Sequence, residues 1–322
     1  MCHTAQTTKL KGNLMAIWIS RAPSNIALIK YMGKSEGNIP CNGSLSYTLH
    51  KFETEVSLEL CRGQDVFEDR MGLGARSVER FLEHLKRLKQ LTGCGEFFHV
   101  KSRNNFPHSA GIASSASSFA ALTICAFNAM GEIQNSTPPS PEEMSRVSRL
   151  ASGSSCRSFF SPWCFWEGEN ARKIDIKIDD LMHDLLLVNG GLKAVSSGEA
   201  HRLVKSSLLF PERAQRAKIR LEKLMKSMND GDWSGAHQLC WEEFWDMHAL
   251  FETSCPSFGY MTADTIAVLS GIRKFWKTRL DGPLTTVDAG CNVHLLWRRD
   301  QTELQQRMRE TICADMPGVG IL

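Results

Sequence analysis

Apolar and polar positions change their spacing along the chain, and the changes mark its elements. From Leu45 to Leu49 and from Thr54 to Leu60 the two kinds alternate, the period of half-buried strands. Val78, Phe81, Leu82, Leu85, Leu88 and Leu91 recur at helical spacing and stop before Gly93, which predicts an amphipathic helix. Leu14 to Ala22 is rich in strand formers and ends at Pro23; the apolar run Ile26 to Ile29 follows. Phe97 to Lys101 predicts another strand. Phe119 to Met130 is apolar nearly all round, broken by Thr123 and Asn128. It predicts a buried helix with Gly131 as its stop.

A turn at Thr137 to Pro141 opens a helix through Glu142, Glu143, Val147 and Leu150, and an aromatic strand lies around Trp163 and Phe165. A short strand over Asp184 to Asn189 precedes three helices, about Pro211 to Met228, Asp232 to Glu252 and Thr262 to Trp276. Leu284 to Val287 and Val293 to Trp297 read as a hairpin around Asp288, and Thr302 to Cys313 as a last helix. This order is mixed α+β rather than regular βαβ repetition. A Lys/Asp-rich stretch places the division near residue 180, giving lobes 1–180 and 181–322.

The 322 residues suffice for such a two-lobed chain, and 42% hydrophobic with 23% charged residues excludes general disorder. A net charge of +3 excludes a general nucleic-acid binder but permits a local basic pocket. The eleven cysteines show no CxxC spacing and HExxH is missing, so no metal-ligand set is assigned and the thiols read as reduced. The apolar run Leu14 to Ile19 is too short for a signal peptide, and no 18-residue apolar stretch is expected. The expectation is a soluble, cytoplasmic protein without a membrane span.

Candidate chemistry centres on Asn104 to Ser118, a small-residue loop running into the buried helix. Such a loop brings backbone N–H groups and the helix dipole to an anion, so it reads as a phosphate loop; an ordinary capped helix is the plain alternative. Gly33-Lys34-Ser35 invites a Walker A reading, but Leu28 stands where that motif needs glycine. Lys30 and Lys34 share a face only if their segment is helical. Trp241, Phe244, Trp245 and His248 lie at helical spacing and read as core, with His248 a satisfied core histidine. Arg298 and Arg299 read as flanking a solvated strand end.

In order, Ala22 to Lys34, Gly43-Ser44-Leu45-Ser46, Asn105 to Ser118, Ser152 to Ser158, Val195-Ser196-Ser197, His248-Ala249 and Asp288-Ala289-Gly290 resemble the diphosphomevalonate decarboxylases of the galactokinase/homoserine kinase/mevalonate kinase (GHMP) superfamily. The resemblance implies an α+β, two-lobed GHMP-kinase-like fold. Its N-terminal lobe would be like ribosomal protein S5 domain 2 and its C-terminal lobe a ferredoxin-like α/β unit, with the active site in the cleft between them. It also implies ATP and Mg²⁺ as cofactors, a small phosphorylated 3-hydroxy acid as substrate, and a homodimer, with no nucleic-acid or membrane partner. The implied reaction phosphorylates the tertiary 3-hydroxyl of mevalonate 5-diphosphate and releases phosphate and CO2, giving isopentenyl diphosphate.

By the same resemblance Asp288 is the catalytic aspartate beside the 3-hydroxyl, against a plain reading as a turn residue. Lys30 is the lysine near it, against a solvated surface lysine. Arg157 grips the substrate carboxylate, against an ion pair joining the lobes. Ser152 and Ser154 match substrate-contacting serines, Tyr31 and Lys34 contact the diphosphate, and Ser196 and Ser197 belong to the substrate set. Pro107, Ser109, Ala110, Gly111, Ala113, Ser114 and Ser115 would cradle the ATP phosphates, while Asn105 and Phe106 shape the turn. Kinases of the superfamily carry a catalytic aspartate in the segment matching Ser152 to Ser158. This chain has no carboxylate there and offers Arg157, which favours decarboxylation. Departures are Gly198 and His201 in a phosphate-contacting stretch, Met32 for a usual tryptophan, Cys291 for a usual proline, and His108 for a small residue. They leave open mevalonate 5-phosphate or another 3-hydroxy acid as substrate, or a plain small-molecule kinase.

Overall fold

The computed structural model describes residues 16–69, 72, 74–106, 114–188 and 195–322. The chain forms two compact units, each interrupted in sequence. The first comprises Met1–Asn25, Thr48–Ser161 and Glu169–Arg172; the second comprises Ile26–Tyr47, Pro162–Gly168 and Lys173–Leu322. The sequence reading places a single division near residue 180. The contacts instead assign residues 26–47 and 162–168 to the second unit, because strands β1 (Ile17–Ile29) and β2 (Ser44–Cys61) each pass from one unit into the other.

The first unit contains the far end of β2, strand β3 (Val66–Glu68), helix α1 (Ala75–Thr92), strand β4 (Phe97–Asn104), and helices α2 (Ser114–Gln134) and α3 (Pro141–Ala151). Thr54 to Cys61 of β2 pair antiparallel with β4, and β3 runs parallel to β4. The expected alternation holds: Val56 and Leu58 are buried with Phe98 and Val100, and α1 adds Phe81, Leu85 and Leu88. Helix α1 ends where its pattern stops, on Gly93 in the left-handed region (φ 70°). Helix α3 starts as expected, on a capping box between Ser140 and Glu143 with Pro141 in its first turn.

Four expectations change in this unit. The predicted break at Pro23 is bridged, because β1 pairs with β2 alone among the described strands and an edge strand tolerates a missing N–H. Helix α2 begins at Ser114 rather than Phe119, so Ser114, Ser115 and Ser117 of the presumed loop lie in its first turn. It also runs past Gly131 to Gln134. A Cβ on Gly131 would lie 2.8 Å from the Ser136 carbonyl oxygen and 3.2 Å from Pro138 Cγ, so this glycine permits close approach rather than ending the helix. By length and composition α2 could cross a membrane, with a mean hydropathy of 1.2, which corrects the expectation of no such stretch; most of it is buried.

The second unit contains β5 (Trp163–Glu167), part of β6 (Asn170–Ile174), β7 (Leu181–Leu187), α4 (Ser197–Leu203), α5 (Arg213–Asp230), α6 (Trp233–Glu252) and α7 (Ala263–Arg279). It ends with β8 (Leu284–Val287), β9 (Val293–Arg298), α8 (Thr302–Asp315) and β10 (Gly320–Ile321). Ser44 to Tyr47 of β2 pair with β5, and a four-stranded sheet runs β10-β7-β9-β8. The β8–β9 hairpin holds the register Thr286 to His294 and Val287 to Val293, so the residues between them, Asp288 included, are carried by a buried pair of strands. Trp241 and Phe244 are core, as their spacing predicts. Arg298 pairs with Asp281 and Asp300, and Arg299 with Asp180.

The described cysteines are free thiols, with Cys94, Cys125, Cys156, Cys164 and Cys240 buried. Gly131→Ala should lower stability by up to about 2 kcal/mol. The gain in helix propensity, about 1 kcal/mol, is outweighed by overpacking against backbone at about 1–3 kcal/mol. A lower midpoint in denaturant at unchanged slope would be the measured sign.

Candidate active site

The apolar run Ile26 to Ile29 buries the end of β1 and carries Lys30 into the interior with it. A lysine there needs partners for its ammonium and for both main-chain groups. Its Nζ donates to Asp288 Oδ1 at 2.5 Å, with side-chain exposures of 2% for the lysine and 31% for the aspartate. Its N–H donates to Glu243 Oε1 at 2.9 Å, and its carbonyl accepts from Asn42 Nδ2 at 2.9 Å and Arg213 Nη2 at 3.3 Å. The solvated-lysine alternative is thereby excluded, and Lys30 is not on a helix with Lys34.

Asp288 follows β8 directly. Its carbonyl accepts from Gly290 N–H at 2.7 Å and faces His248 Nε2 at 3.1 Å. A carbonyl only accepts, so Nε2 carries the proton and donates. Burial first, then the Lys30 charge, pulls the His248 pKa down to about 4, keeping the ring neutral. His294, also buried, is pulled to about 4 by burial, with Asp288 opposing and Lys30 reinforcing the shift. His248 thus has the satisfied core position expected of it, and in addition holds the main chain of Asp288.

Sequence reasoning missed what lies behind Lys30. Arg213 and Glu243, both fully buried, form an ion pair, and Asp246 accepts from Arg213, Arg216 and Arg220. The signal was present in the spacing. Arg213, Arg216 and Arg220 fall on one face of α5, and Glu243 and Asp246 on one face of α6.

Near Lys30 in sequence, the Tyr31 ring lies 4.5 Å from Trp166 and 4.3 Å from His201. Tyr31 and Lys34 both bond to Asn38, through its carbonyl at 3.4 Å and its Oδ1 at 2.6 Å. His201 Nδ1 accepts from the Gly33 N–H at 3.0 Å. Ser196 caps α4 by accepting from Glu199 N–H, and Ser197 is the exposed first residue of that helix.

In the first unit, Arg157 sits in a run of 3₁₀ turns, Gly153–Phe159, and is buried. Its Nε donates to Asn25 Oδ1 at 2.9 Å, while Asn25 Nδ2 donates to Ser158 Oγ at 2.8 Å and to the Ser154 carbonyl at 3.4 Å. Asn25 therefore fixes the guanidinium, a role no spacing argument suggested. Ser152 Oγ donates to Ser115 Oγ at 3.3 Å, joining the serine segment to the first turn of α2. Ser117 in the same turn bonds Ser24 and Thr54, which anchors that helix end. Pro107, Ser109, Ala110, Gly111 and Ala113 lie outside the described residues. Asn105 bonds the Glu53 N–H and the Lys51 carbonyl, and Phe106 packs on Phe52, so both shape the turn.

Two family models match the chain. A diphosphomevalonate decarboxylase-like N-terminal domain covers residues 22–176, and a mevalonate 5-diphosphate decarboxylase C-terminal domain covers residues 185–317. The chain belongs to the diphosphomevalonate decarboxylase family. A family member from Eremothecium gossypii is 30% identical over 88% of this chain and 78% of its own length. The crystal structure of a mevalonate diphosphate decarboxylase from Legionella pneumophila shares 43% identity, with a TM-score of 0.90 over 95% of this chain and all of that one. A structure of MDDEF in complex with MVAPP, AMPPCP and magnesium shares 28% identity, with a TM-score of 0.85 over 96% of each chain. The two-lobed α+β fold expected from the resemblance is that of the family.

Besides His248 and His294, burial pulls His237 to about 4 and His84 to about 3. Their folded pKa values lie below the unfolded value of about 6.5, so the unfolded chain binds more protons below that pH. The stability is fully present above about pH 6.5 and is lost as pH falls towards the folded values, each ring contributing about 1.4 kcal/mol per pH unit. Thermal unfolding should therefore show Tm falling from about pH 6.5 to about pH 4. His84→Asn should shallow that slope.

Proposed function

We propose that this chain catalyses the ATP-dependent decarboxylation of mevalonate 5-diphosphate to isopentenyl diphosphate, ADP, phosphate and CO2. The observation that carries the reading is the buried ammonium of Lys30 on the Asp288 carboxylate, at the family's motif positions. The Asp288 carboxylate orients the 3-hydroxyl or takes its proton, and Lys30 Nζ balances the charge on that carboxylate. Arg157, its guanidinium fixed by Asn25, binds the substrate carboxylate as a planar fork. Ser152 and Ser154 contact the substrate beside it. Tyr31, Lys34, Ser196 and Ser197 bind its phosphates.

AMPPCP is a methylene-bridged analogue of ATP, and its presence with MVAPP and magnesium in the MDDEF structure supports ATP and Mg²⁺ here. The first turn of α2 suits phosphates: helix N–H groups lie there with the exposed Ser115 and the half-buried Ser114. Among the described residues no trio of His, Cys, Asp or Glu forms a metal site, so Mg²⁺ would be held mainly by the nucleotide's phosphates with serine hydroxyls beside it. Bound ATP supplies the phosphoryl group that makes the tertiary hydroxyl a leaving group. The reading also takes the protein to be a cytoplasmic homodimer.

Gly198 offers no side chain in the phosphate-contacting stretch, and His201 is engaged with Gly33, which keeps mevalonate 5-phosphate as a second substrate reading. The deciding assay supplies ATP, Mg²⁺ and either the 5-diphosphate or the 5-monophosphate, following ADP and CO2. ADP without CO2 from both substrates would replace the decarboxylase by a kinase. Asp288→Asn should lower kcat by about 10²–10⁴-fold while ATP binding is kept. Arg157→Ala should weaken substrate capture by about 10–100-fold, corresponding to about 1.5–3 kcal/mol for a charged hydrogen bond. Full activity in both variants would refute the assigned roles.

A further inference from the structure

We infer that helix α6 sets the spacing of the reacting pair: Glu243 fixes the main chain of Lys30 and His248 fixes that of Asp288, which makes both of them positioning residues. The inference rests on the reading of Lys30 and Asp288 as that pair.

Neither contact runs through the reacting side chains. Glu243 Oε1 accepts from the Lys30 N–H at 2.9 Å, and His248 Nε2 donates to the Asp288 carbonyl at 3.1 Å. The two anchors are five residues apart on one rigid helix, about 7.5 Å along its axis. They tie down two segments of very distant sequence, the end of β1 and the hairpin after β8. Each anchor is itself held. Glu243 is gripped by Arg213 and Arg220, and Arg213 also donates to the Lys30 carbonyl, so the same ion pair closes on both sides of that residue. His248 is buried and packs edge-on against Phe251.

The neutral imidazole supplies one N–H, and the Asp288 carbonyl takes it. Without that donor the hairpin would be retained by the β8–β9 pairing and by Ala289 packing with Met247 and Leu250, but the Asp288 carbonyl would lose the N–H that His248 gives it. Misplacement of a reacting group by about 1 Å costs about 10²-fold in rate, so loss of either anchor should register in turnover before it registers in binding.

The test compares wild type with His248→Phe, which keeps a buried ring without a donor, and His248→Gln, whose amide restores one. Readouts are kcat, KM for both substrates, Tm, and crystal structures of all three proteins. The expected result is a kcat lower by about 10²-fold in His248→Phe with KM changed less than about threefold, and most of the loss recovered in His248→Gln. In the crystal of His248→Phe, Lys30 Nζ and the Asp288 carboxylate should be out of hydrogen-bond distance. Glu243→Gln, which keeps an acceptor for the Lys30 N–H, should lose less turnover than Glu243→Leu. Wild-type kcat in His248→Phe would overturn the inference, as would equal losses in the Phe and Gln variants or an undisturbed pair in the crystal. If wild type releases no CO2 from either mevalonate, the proposed function fails, while the crystallographic comparison still decides the spacing role.

Discussion

An ammonium group with almost no solvent, resting on a partly exposed carboxylate, is the constraint around which the second unit is arranged. Removing a charge from water is costly, and a buried pair recovers that cost only with good geometry and full hydrogen bonding. Lys30 has both. Its side chain meets Asp288, and its main-chain groups meet Glu243, Asn42 and Arg213. Yet apolar residues of similar volume often replace buried ion pairs with no loss of stability. Folding alone therefore gives no reason to bury a lysine here. A charge held at a fixed place beside a carboxylate that still reaches solvent suits chemistry at that carboxylate.

The Arg213–Glu243–Asp246 cluster follows from the same requirement. Glu243 has no exposure, and its oxygens are taken by two arginines and the Lys30 N–H. Each arginine in turn reaches Asp246, so charges of both signs alternate across the α5–α6 contact. Breaking one member of such a network leaves its partners buried and unpaired, which costs about 3–5 kcal/mol. The first unit uses uncharged groups for a comparable purpose. Serine hydroxyls and Asn25 hold Arg157 and the first turn of α2, a denser set of side-chain bonds than an ordinary helix cap requires.

What could be read from the sequence was whatever depends on local period. Helix α1, the start of α3, the β8–β9 hairpin and the three long helices of the second unit stand close to where their patterns put them. Misreadings arose where a tertiary contact outweighed a local preference. Pro23 stays in a strand because β1 is an edge strand, where a residue without an N–H is tolerated, and Gly131 stays in a helix because the chain at Ser136 and Pro138 comes too close for a side chain. Of the candidate site, the motifs supplied the residues that bear charge towards a ligand. They gave no role to Asn25, Arg213 or Glu243, whose side-chain partners lie at least 23 residues away in sequence and whose function is visible only as bonds to other residues.

The departure at His201 shows the same distinction within one residue. A histidine in a phosphate-contacting stretch invites the view that it replaces a missing donor. Its Nδ1, however, accepts from the Gly33 N–H, so a neutral ring carries its proton on Nε2. Protonating Nδ1 would set one N–H against another and break that bond. The ring also lies against Tyr31. His201 thus holds the segment from Tyr31 to Lys34 in place, and a positive charge on it would act against that hold. In the proposed function, attraction for the substrate's phosphates then rests on Lys34, a cation whose Nζ is steadied by Asn38, while His201 fixes the segment that carries it.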